Sequence, residues 1–312
     1  MDKQTLHNTR ARILPYVHNT PIFTSHLLDD MSGAKLYFKC ENFQKMGAFK
    51  MRGAVNAILQ LSTEQQERGV VTHSSGNFAQ ALSLAAKILN VPAYIVMPDN
   101  APKVKSEAVV GYGGNITLCA ATIAAREAAA AKIVAERGAT FIHPSNNLNV
   151  ILGNATVGME LLQAHPNLQM IVSPVGGGGL IAGTALSSHF FGVDCKTIGG
   201  EPKVVDDAYR SMQTGQIEKN EVSHTIADGL RTQLGDINFP IIQQYVDHII
   251  CVEEQEIIQA MKLLWERLKI VVEPSSAVAF AAVLKNRDYF KDQHVAIILS
   301  GGNVDLETIK FS

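Results

Sequence analysis

A lysine in an apolar stretch is the first feature of this 312-residue sequence that could do chemistry. The stretch "KMGAFKMRGA", residues 45–54, places Lys50 after Phe49 and before an apolar run that is predicted to form a core-facing helix. Burial lowers the pKa of a lysine, so more of it is the neutral amine that attacks aldehydes. The alternative is a lysine whose stem lies on apolar surface while its ammonium group reaches water.

A run of four glycines is the second such feature. It stands in "VGGGGLIAG", residues 175–183, between a predicted strand and a predicted helix. Four consecutive glycines cost backbone entropy and add no side-chain packing, but they let several backbone N–H groups approach one anion. The positive end of the following helix adds to the same field, so a phosphate group is the predicted occupant. A plain strand-to-helix turn is the alternative, although it needs only one or two glycines. The spacing fits neither the nucleotide P-loop nor the dinucleotide-binding pattern.

Three further turns beside predicted strands carry groups that could bind a ligand. In "THSSGNFAQAL", residues 72–82, hydroxyl and amide groups precede a helix and could hold a substrate carboxylate; ordinary N-capping of that helix is the alternative. The residues concerned are Ser74, Ser75, Gly76 and Asn77. "LSGGNVDL", residues 299–306, is by itself a turn that ends a strand. In "GEPKVVDDAY", residues 200–209, Asp206 and Asp207 could simply serve the first turn of a helix.

The glycine run and Lys50 together predict pyridoxal phosphate, held by the glycines through its phosphate and by Lys50 as a Schiff base. This prediction explains the odd placement of the lysine. As an imine it is not a cation that has to be solvated at the start of a buried helix.

The elements that position these residues alternate between strand and helix. Seven near-continuously apolar runs, as in strands buried on both faces, are predicted strands: "KLYFKC", "PAYIVMP", "NITLCA", "QMIVSPV", "CKTIGGE", "DHIICV" and "HVAIILSGG". Helical patterns lie between them, for example "NFAQALSLAAKILN". The alternation predicts an α/β fold with mostly parallel sheets. Residues 69–146 are predicted to form a smaller domain, inserted into a larger one built from residues 1–68 and 147–312.

Composition narrows the class of protein. The formal net charge is -2 with no basic stripe, which makes nucleic acid an unexpected partner. No apolar run is long enough to span a membrane, and the first residues lack the apolar segment of a signal peptide. The four cysteines are far apart with no paired spacing, as in reduced proteins of the cytosol. A cytoplasmic protein is expected.

The motifs, taken in order, resemble the serine racemase and serine/threonine dehydratase family of fold-type II pyridoxal phosphate enzymes. They run nearly end to end: "TPIFTS", "FKCENFQKMGAFKMRGA", "THSSGN", "AYIVMP", "VGGGGLIAG", "TIADGL", "LLWERLKIVVEP" and "LSGGNVDL". The resemblance implies a tryptophan synthase β-like fold, with two domains of twisted, mostly parallel sheets flanked by helices and the cofactor in the cleft between them. It also implies a homodimer. Since the chain ends soon after "SGGN", no regulatory domain of the biosynthetic threonine dehydratase kind is expected.

The resemblance also implies roles for single residues. Lys50 would be the Schiff-base lysine and the base on one face of the cofactor, Phe49 would pack against its ring, and Asn77 would bind its 3-hydroxyl. The phosphate would be held by Gly176, Gly177, Gly178 and Gly179. Ser300 would face the pyridine nitrogen. A neutral hydroxyl does not keep that nitrogen protonated, so negative charge at Cα is less well stabilised and β-elimination is favoured.

Ser75 and the acids of "GEPKVVDDAY" add two further expectations. Dehydratases of the family commonly have alanine where Ser75 stands, and serine racemases have serine. A hydroxyl on the face opposite Lys50 could exchange the second proton that racemisation needs. Glu201, the carbonyl of Val205 and Asp207 match the divalent-cation site of eukaryotic serine racemase, with waters completing an octahedron around Mg²⁺, Mn²⁺ or Ca²⁺.

Three departures from the family pattern lie where substrate or interdomain contacts are expected. Phe78 replaces a histidine, Ser145, Asn146 and Asn147 replace "NQE", and "GNAT" at 153–156 replaces "GQGT". The predicted function is elimination of water from L-serine or L-threonine, giving a 2-keto acid and ammonia. Serine racemisation is a parallel or alternative activity, and 3-hydroxyaspartate is another candidate substrate. Less well supported are β-replacement of the cysteine synthase kind and a cofactor-holding regulatory protein without turnover.

Overall fold

Two β-sheets organise the protein, seen here in a computed structural model that describes residues 1–101, 103–221 and 224–306. The strands are β1 (Ile22–Phe23), β2 (Lys35–Cys40), β3 (Val70–His73), β4 (Ala93–Pro98), β5 (Asn115–Cys119), β6 (Thr140–Phe141), β7 (Met170–Pro174), β8 (Lys196–Pro202), β9 (Val246–Val252) and β10 (His294–Leu299). The larger sheet has the order β1-β2-β10-β7-β8-β9 and the smaller one β5-β4-β3-β6. Neighbouring strands in these sheets run parallel, apart from β1 and β2, which are antiparallel.

Helices flank both sheets. They are α1 (Lys3–Ile13), α2 (His26–Ser32), α3 (Lys50–Leu59), α4 (Thr63–Arg68), α5 (Asn77–Ile88), α6 (Lys103–Gly111), α7 (Ile123–Arg137), α8 (Leu148–Ala164), α9 (Gly179–Phe191), α10 (Asp207–Thr214), α11 (Phe239–Tyr245), α12 (Glu254–Leu263), α13 (Pro274–Lys285) and α14 (Arg287–Phe290). A π-helical turn, Leu264–Leu268, extends α12, and short 3-10 turns include Lys45–Gly47 and Lys203–Val205. This α/β architecture confirms the predicted fold class.

All seven predicted strands are strands, but burial on both faces is wrong for one of them. β5 is an edge strand of the smaller sheet, and Leu118 within it is 62% exposed. Its apolar residues therefore do not indicate a central position. The seven runs do not include β1, β3 and β6, which have only two to four residues each. Of these three, the sequence predicts only β3, as the strand beside the turn of residues 72–82.

The core of the larger sheet lies on both of its faces, as β10 shows. Ile297 belongs to the same apolar cluster as Phe38 and Phe280, while the next residue, Ile298, belongs to the cluster on the other side that contains Tyr37. Successive side chains of a strand point to opposite faces, so an uninterrupted apolar strand fills two layers at once. Full burial of each such side chain contributes roughly 1.5–3 kcal/mol.

α3 lies where the two sheets meet. Its residues Met51, Val55 and Ile58 share an apolar cluster with Leu82 and Ile95 of the smaller sheet's layer. Its other neighbour is α8, which packs beside the larger sheet: a Cβ on Gly53 would touch α8. The domain bounds at residues 68/69 and 146/147 stay a prediction. Among the described residues, no helix is both long enough and apolar enough to cross a bilayer.

Candidate active site

Lys50 is the first residue of α3, and protein groups surround its amine. Its Nζ donates a hydrogen bond to the carbonyl oxygen of Pro144 at 2.8 Å. The same nitrogen lies 5.0 Å from the centre of the Phe49 ring and 5.7 Å from that of Phe78. Burial lowers the pKa of Lys50 to about 8, although nearby Glu273 favours the charged form. This is the setting of a nucleophilic amine, and not that of an ammonium group held in water.

Arg52, two residues after Lys50 in α3, shows how this helix start is held. Its buried guanidinium donates to both oxygens of Glu41 at 2.8 Å and to both oxygens of Glu160 at 2.9 Å. Lys39 donates to Glu160 as well, at 2.8 Å. Bidentate pairs fix orientation as well as distance, so this network anchors the turn that carries Lys50.

The glycine run connects β7 to α9. Gly178 is the N-cap of α9 with a left-handed φ of 79°, and no side chain caps this helix start. A Cβ on Gly176 would come within 2.8 Å of Leu230 Cα, and one on Gly179 within 2.9 Å of the backbone of Ser145. Crowding therefore requires glycine at positions 176 and 179, and the left-handed backbone favours it at position 178.

The N–H groups of the glycine run are free to meet a ligand. The backbone hydrogen bonds around them run from Val175 N to Gly200 O and from Ala182 N to Gly178 O, and in the described chain none is donated by residues 176–179. Free N–H groups at the positive end of a helix are a ready anion site. The loop fits a phosphate group on this observation.

One short segment joins Lys50 to the glycine run. Pro144 accepts the hydrogen bond from Lys50, and the next residue, Ser145, lies against Gly177 and Gly179. His143 stabilises this turn, because its Nδ1 accepts hydrogen bonds from Ser145 N at 3.2 Å and Asn146 N at 2.8 Å. Burial, with smaller contributions from His73 and Lys50, lowers the pKa of His143 to about 4, so it is a neutral acceptor.

The turn after β3 is a helix start without a side-chain cap. α5 begins at Asn77 with Gly76 as N-cap, and neither Ser74, Ser75 nor Asn77 caps it. The capping alternative is therefore wrong. Ser74 Oγ instead accepts a long 3.4 Å bond from Gly76 N, while Ser75 is partly buried beside it.

Asn77 belongs to a chain of polar contacts. Its Nδ2 donates to Glu273 at 2.9 and 3.1 Å, and its Oδ1 accepts from Asn303 Nδ2 at 2.9 Å. Burial raises the pKa of Glu273 to about 7. A buried acid titrating near neutrality beside a low-pKa lysine is a functional candidate. Sequence reasoning missed Glu273 and Asn303. The available signal was a lone acid in the apolar stretch "KIVVEPSSAV".

Ser300 follows β10 and faces the segment that carries Lys50. Its carbonyl oxygen accepts from Phe49 N at 3.0 Å, and its hydroxyl lies 3.1 Å from the hydroxyl of Ser276. Gly301, next in the chain, pairs with Ala48 in an isolated antiparallel bridge. The turn 299–306 thus does more than end a strand, because it binds the start of α3.

Glu201 and Asp207, two of the predicted cation ligands, are both buried. Burial, followed by the neighbouring Asp207, raises the pKa of Glu201 well above its usual range, and burial raises that of Asp207 to about 6. Val205 lies between them in a 3-10 turn. Two buried acids with raised pKa values would gain from a cation, because a positive charge favours their ionised forms, so the residues fit one.

Asp206 and Asp207 stand at the start of α10, as the helix-start alternative has it, but their side chains have different partners. Asp206 pairs with Arg210 on α10 at 2.7 Å. Asp207 instead accepts from Leu234 N at 3.2 Å. Glu201 is the acid that binds the free N–H groups of α10, accepting from Ala208 N at 3.0 Å and from Tyr209 N at 2.8 Å.

The departures from the family pattern differ in what they contact. Phe78 is buried and forms part of the apolar wall around Lys50. Asn147 is the N-cap of α8, where its Oδ1 accepts from Val150 N at 3.1 Å, and a ligand or interdomain contact of this residue stays a prediction. Asn154 donates to Gly179 O at 3.2 Å and lies beside the glycine run.

Comparison with known proteins decides the family. The family model for pyridoxal-phosphate dependent enzymes matches residues 13–301. The chain belongs to this family. It is 48% identical over 304 residues to a serine racemase of Dictyostelium discoideum, covering 96% of this chain and 93% of that protein. It is 44% identical to a β-hydroxyaspartate dehydratase of Paracoccus denitrificans, covering 96% of each chain.

A solved structure gives the same result for the fold. The structure of maize serine racemase superposes with a TM-score of 0.96 at 46% identity, covering 98% of this chain and 95% of that one. The family predicted from the motifs is therefore confirmed, and so is pyridoxal phosphate as its cofactor.

Proposed function

We propose that this enzyme eliminates water from small hydroxy amino acids, L-serine or L-threonine, and so forms a 2-keto acid and ammonia. One observation carries the proposal. A desolvated amine, Lys50, and a loop of free N–H groups, residues 176–179, meet on the two sides of the Pro144–Ser145 segment. A nucleophilic amine beside an anion site fits an aldehyde cofactor that carries a phosphate.

The residues divide the work as follows. When bound, pyridoxal phosphate supplies an aldehyde for the substrate amine and a ring that stabilises negative charge at Cα. Lys50 Nζ, neutral in part at physiological pH, takes the proton from Cα. The start of α5, with Ser74 to Asn77, binds the substrate carboxylate through free N–H and hydroxyl groups. Phe49 and Phe78 exclude water from the amine.

Elimination is favoured because, within the part of the chain that the structure describes, no carboxylate hydrogen-bonds to Ser300. Its hydroxyl partner is Ser276, another neutral group. Placed at the ring nitrogen, as the family resemblance implies, Ser300 would not hold a proton there. Charge at Cα is then less well stabilised, and a hydroxyl at Cβ is expelled. The relative from Paracoccus denitrificans, named for the dehydration of β-hydroxyaspartate, supports 3-hydroxyaspartate as an alternative substrate.

Serine racemisation is the second candidate activity. Ser75 favours it, because this partly buried hydroxyl at the start of α5 caps no helix and is free for proton exchange. The 48% identity to a serine racemase supports the same activity. Both activities share Lys50 and differ in the need for a group on the opposite face of the substrate.

Three finer points belong to the proposal. Glu201, the carbonyl of Val205 and Asp207 hold a divalent cation, which the raised pKa values of the two buried acids support. The protein is a homodimer, by family resemblance. It acts in the cytoplasm with neither nucleic acid nor membrane as partner, on the grounds of its charge and its reduced cysteines.

One assay tests the function. The enzyme with pyridoxal phosphate is mixed with the L and D forms of serine and threonine and with 3-hydroxyaspartate, while keto acid formation and enantiomer composition are followed. We expect keto acid from at least one L-hydroxy amino acid. Lys50→Ala is the control and should fold, lack the Schiff-base absorbance and form no product. Full turnover by Lys50→Ala, or no product from any of the substrates, would contradict the proposal.

A further inference from the structure

Asn238 is a buried amide that stands at a helix start without capping it. It is the N-cap residue of α11, yet its side chain makes no capping hydrogen bond. Asparagine is among the best N-cap residues, and its amide oxygen normally accepts from an N–H group of the first turn. Asn238 is fully buried, so its side chain must find other partners or remain unsatisfied at a cost.

The partners of Asn238 lie around the glycine run. Its Nδ2 donates to the carbonyl oxygen of Gly177 at 2.8 Å and to that of Ser145 at 3.3 Å. Its Oδ1 accepts from Gly235 N at 3.1 Å. A flipped amide would place Oδ1 against two carbonyl oxygens, so only one orientation of this side chain satisfies its surroundings.

Holding the Gly177 carbonyl fixes the next N–H group. In a trans peptide unit the C=O and N–H bonds point in opposite directions. With Gly177 O turned towards Asn238, the N–H of Gly178 points to the other side, and it donates no hydrogen bond within the described chain. The left-handed φ of 79° at Gly178 allows this orientation, and a Cβ there would meet Asn238 Oδ1 at 2.7 Å.

We propose that Asn238 is a positioning residue for the phosphate site, setting the Gly177–Gly178 peptide so that its N–H faces the phosphate group. The inference rests on the proposed function, because it takes the phosphate of the cofactor as the ligand. Within the described chain, the Asn238 side chain hydrogen-bonds only to backbone groups. Its effect is therefore on recognition of the phosphate, and not on the aldehyde that reacts with Lys50.

The test compares two ligands that differ only in the phosphate. The full-length protein is freed of cofactor and titrated with pyridoxal phosphate and with pyridoxal. The Kd for pyridoxal divided by the Kd for pyridoxal phosphate measures phosphate recognition. Asn238→Ala should lower this ratio by about tenfold to a hundredfold, the equivalent of one hydrogen bond to a charged group. The Kd for pyridoxal should change by less than about twofold, since no contact to the aldehyde is lost.

Asn154→Ala is the matched control. Asn154 is also a fully buried asparagine, and its Nδ2 donates to the carbonyl of Gly179 at 3.2 Å. That carbonyl belongs to the first turn of α9, where the helix already fixes its direction. The control should lose stability without losing phosphate recognition. Asn238→Ser is a second variant, since serine keeps a good N-cap residue for α11 but is too short to reach Gly177.

The outcomes separate the inference from the function on which it rests. A selective loss of phosphate recognition in both Asn238 variants, and not in Asn154→Ala, supports the inference. An equal loss for both ligands, or an unchanged ratio, overturns it and leaves a structural role for Asn238. If the wild-type protein binds pyridoxal as tightly as pyridoxal phosphate, the phosphate site itself is wrong, and the proposed function fails with it.

Discussion

The low pKa of Lys50 can be measured in the cofactor-free protein, where no Schiff base obscures it. Burial lowers this pKa from 10.5 to about 8. At pH 7 roughly a tenth of the side chains would then be neutral amines, against about three in ten thousand for an ordinary lysine. The structure therefore predicts an increase of about 300-fold in the reactive fraction near neutral pH.

The assay is competitive labelling with a trace of an amine-specific reagent across a pH series, followed by mass spectrometry of the Lys50 peptide. The labelling rate of Lys50 should reach half its plateau near pH 8. Glu273→Gln is the perturbation, because the Glu273 carboxylate favours the charged lysine. Its removal should shift the midpoint for Lys50 to lower pH. A midpoint at pH 10 or above in the wild type would refute the reasoning.

The pH dependence of the free energy of unfolding gives an independent measure of the Lys50 pKa. Between about pH 8 and 10.5 the unfolded chain binds the Lys50 proton and the folded chain does not, so rising pH stabilises the fold across this window. Conversely, the buried charge destabilises the fold in full below about pH 8, by roughly 3 kcal/mol as an upper limit. Lys50→Met should be more stable near pH 7 and should lack this part of the slope. If both proteins show the same dependence of unfolding free energy on pH, the desolvation argument fails.

Three further predictions test other parts of the site. Ser75→Ala should abolish racemisation and activity on D-serine, while elimination from L-serine survives. A parallel fall in kcat/KM for both enantiomers would show that Ser75 only binds the substrate carboxylate. A chelator should lower the midpoint of thermal unfolding and Mg²⁺, Mn²⁺ or Ca²⁺ should restore that midpoint, because a ligand that binds the folded state stabilises the folded state. If Glu201→Ala and Asp207→Ala both behave like the wild type, there is no cation site at these acids. Arg52→Met should lower the free energy of unfolding by roughly 3–5 kcal/mol, since it leaves buried Glu41 without its cation and Glu160 with Lys39 alone. A loss below about 1 kcal/mol in chemical unfolding would show that this network does not anchor α3.

The parts of the fold that the sequence predicts are those with a strong local pattern. The seven apolar runs became strands because a parallel sheet covered on both faces needs uninterrupted apolar residues, and these cannot easily be anything else. β5 shows the limit of the argument, since a run such as "NITLC" does not reveal that it lies at an edge. Edge position depends on the order of the strands, which no local pattern records.

Among the residues of the candidate site, too, those with an unusual local sequence could be predicted and the others could not. Lys50 and the four glycines are unusual in their own stretches of sequence, so chemistry could be inferred from them alone. Glu273 and Asn238 matter through contacts with residues far away in the chain, Asn77 and Gly177. In the sequence alone, Glu273 is an ordinary acid before a proline, and Asn238 is an ordinary residue for a helix start. Their partners, rather than their own neighbours in sequence, give them their roles.

The position of β10 in the larger sheet has a consequence for biosynthesis. This strand is the last of the described chain to leave the ribosome, yet it lies between β2 and β7 in the interior of the sheet. Until it arrives, two parallel strands present unpaired edges and apolar faces, which is the condition for aggregation between nascent chains. The contact of Ala48 with Gly301 also forms only at this stage. The start of α3 is thus completed only after β10 and Gly301 have been synthesised, so cofactor capture should not precede that stage.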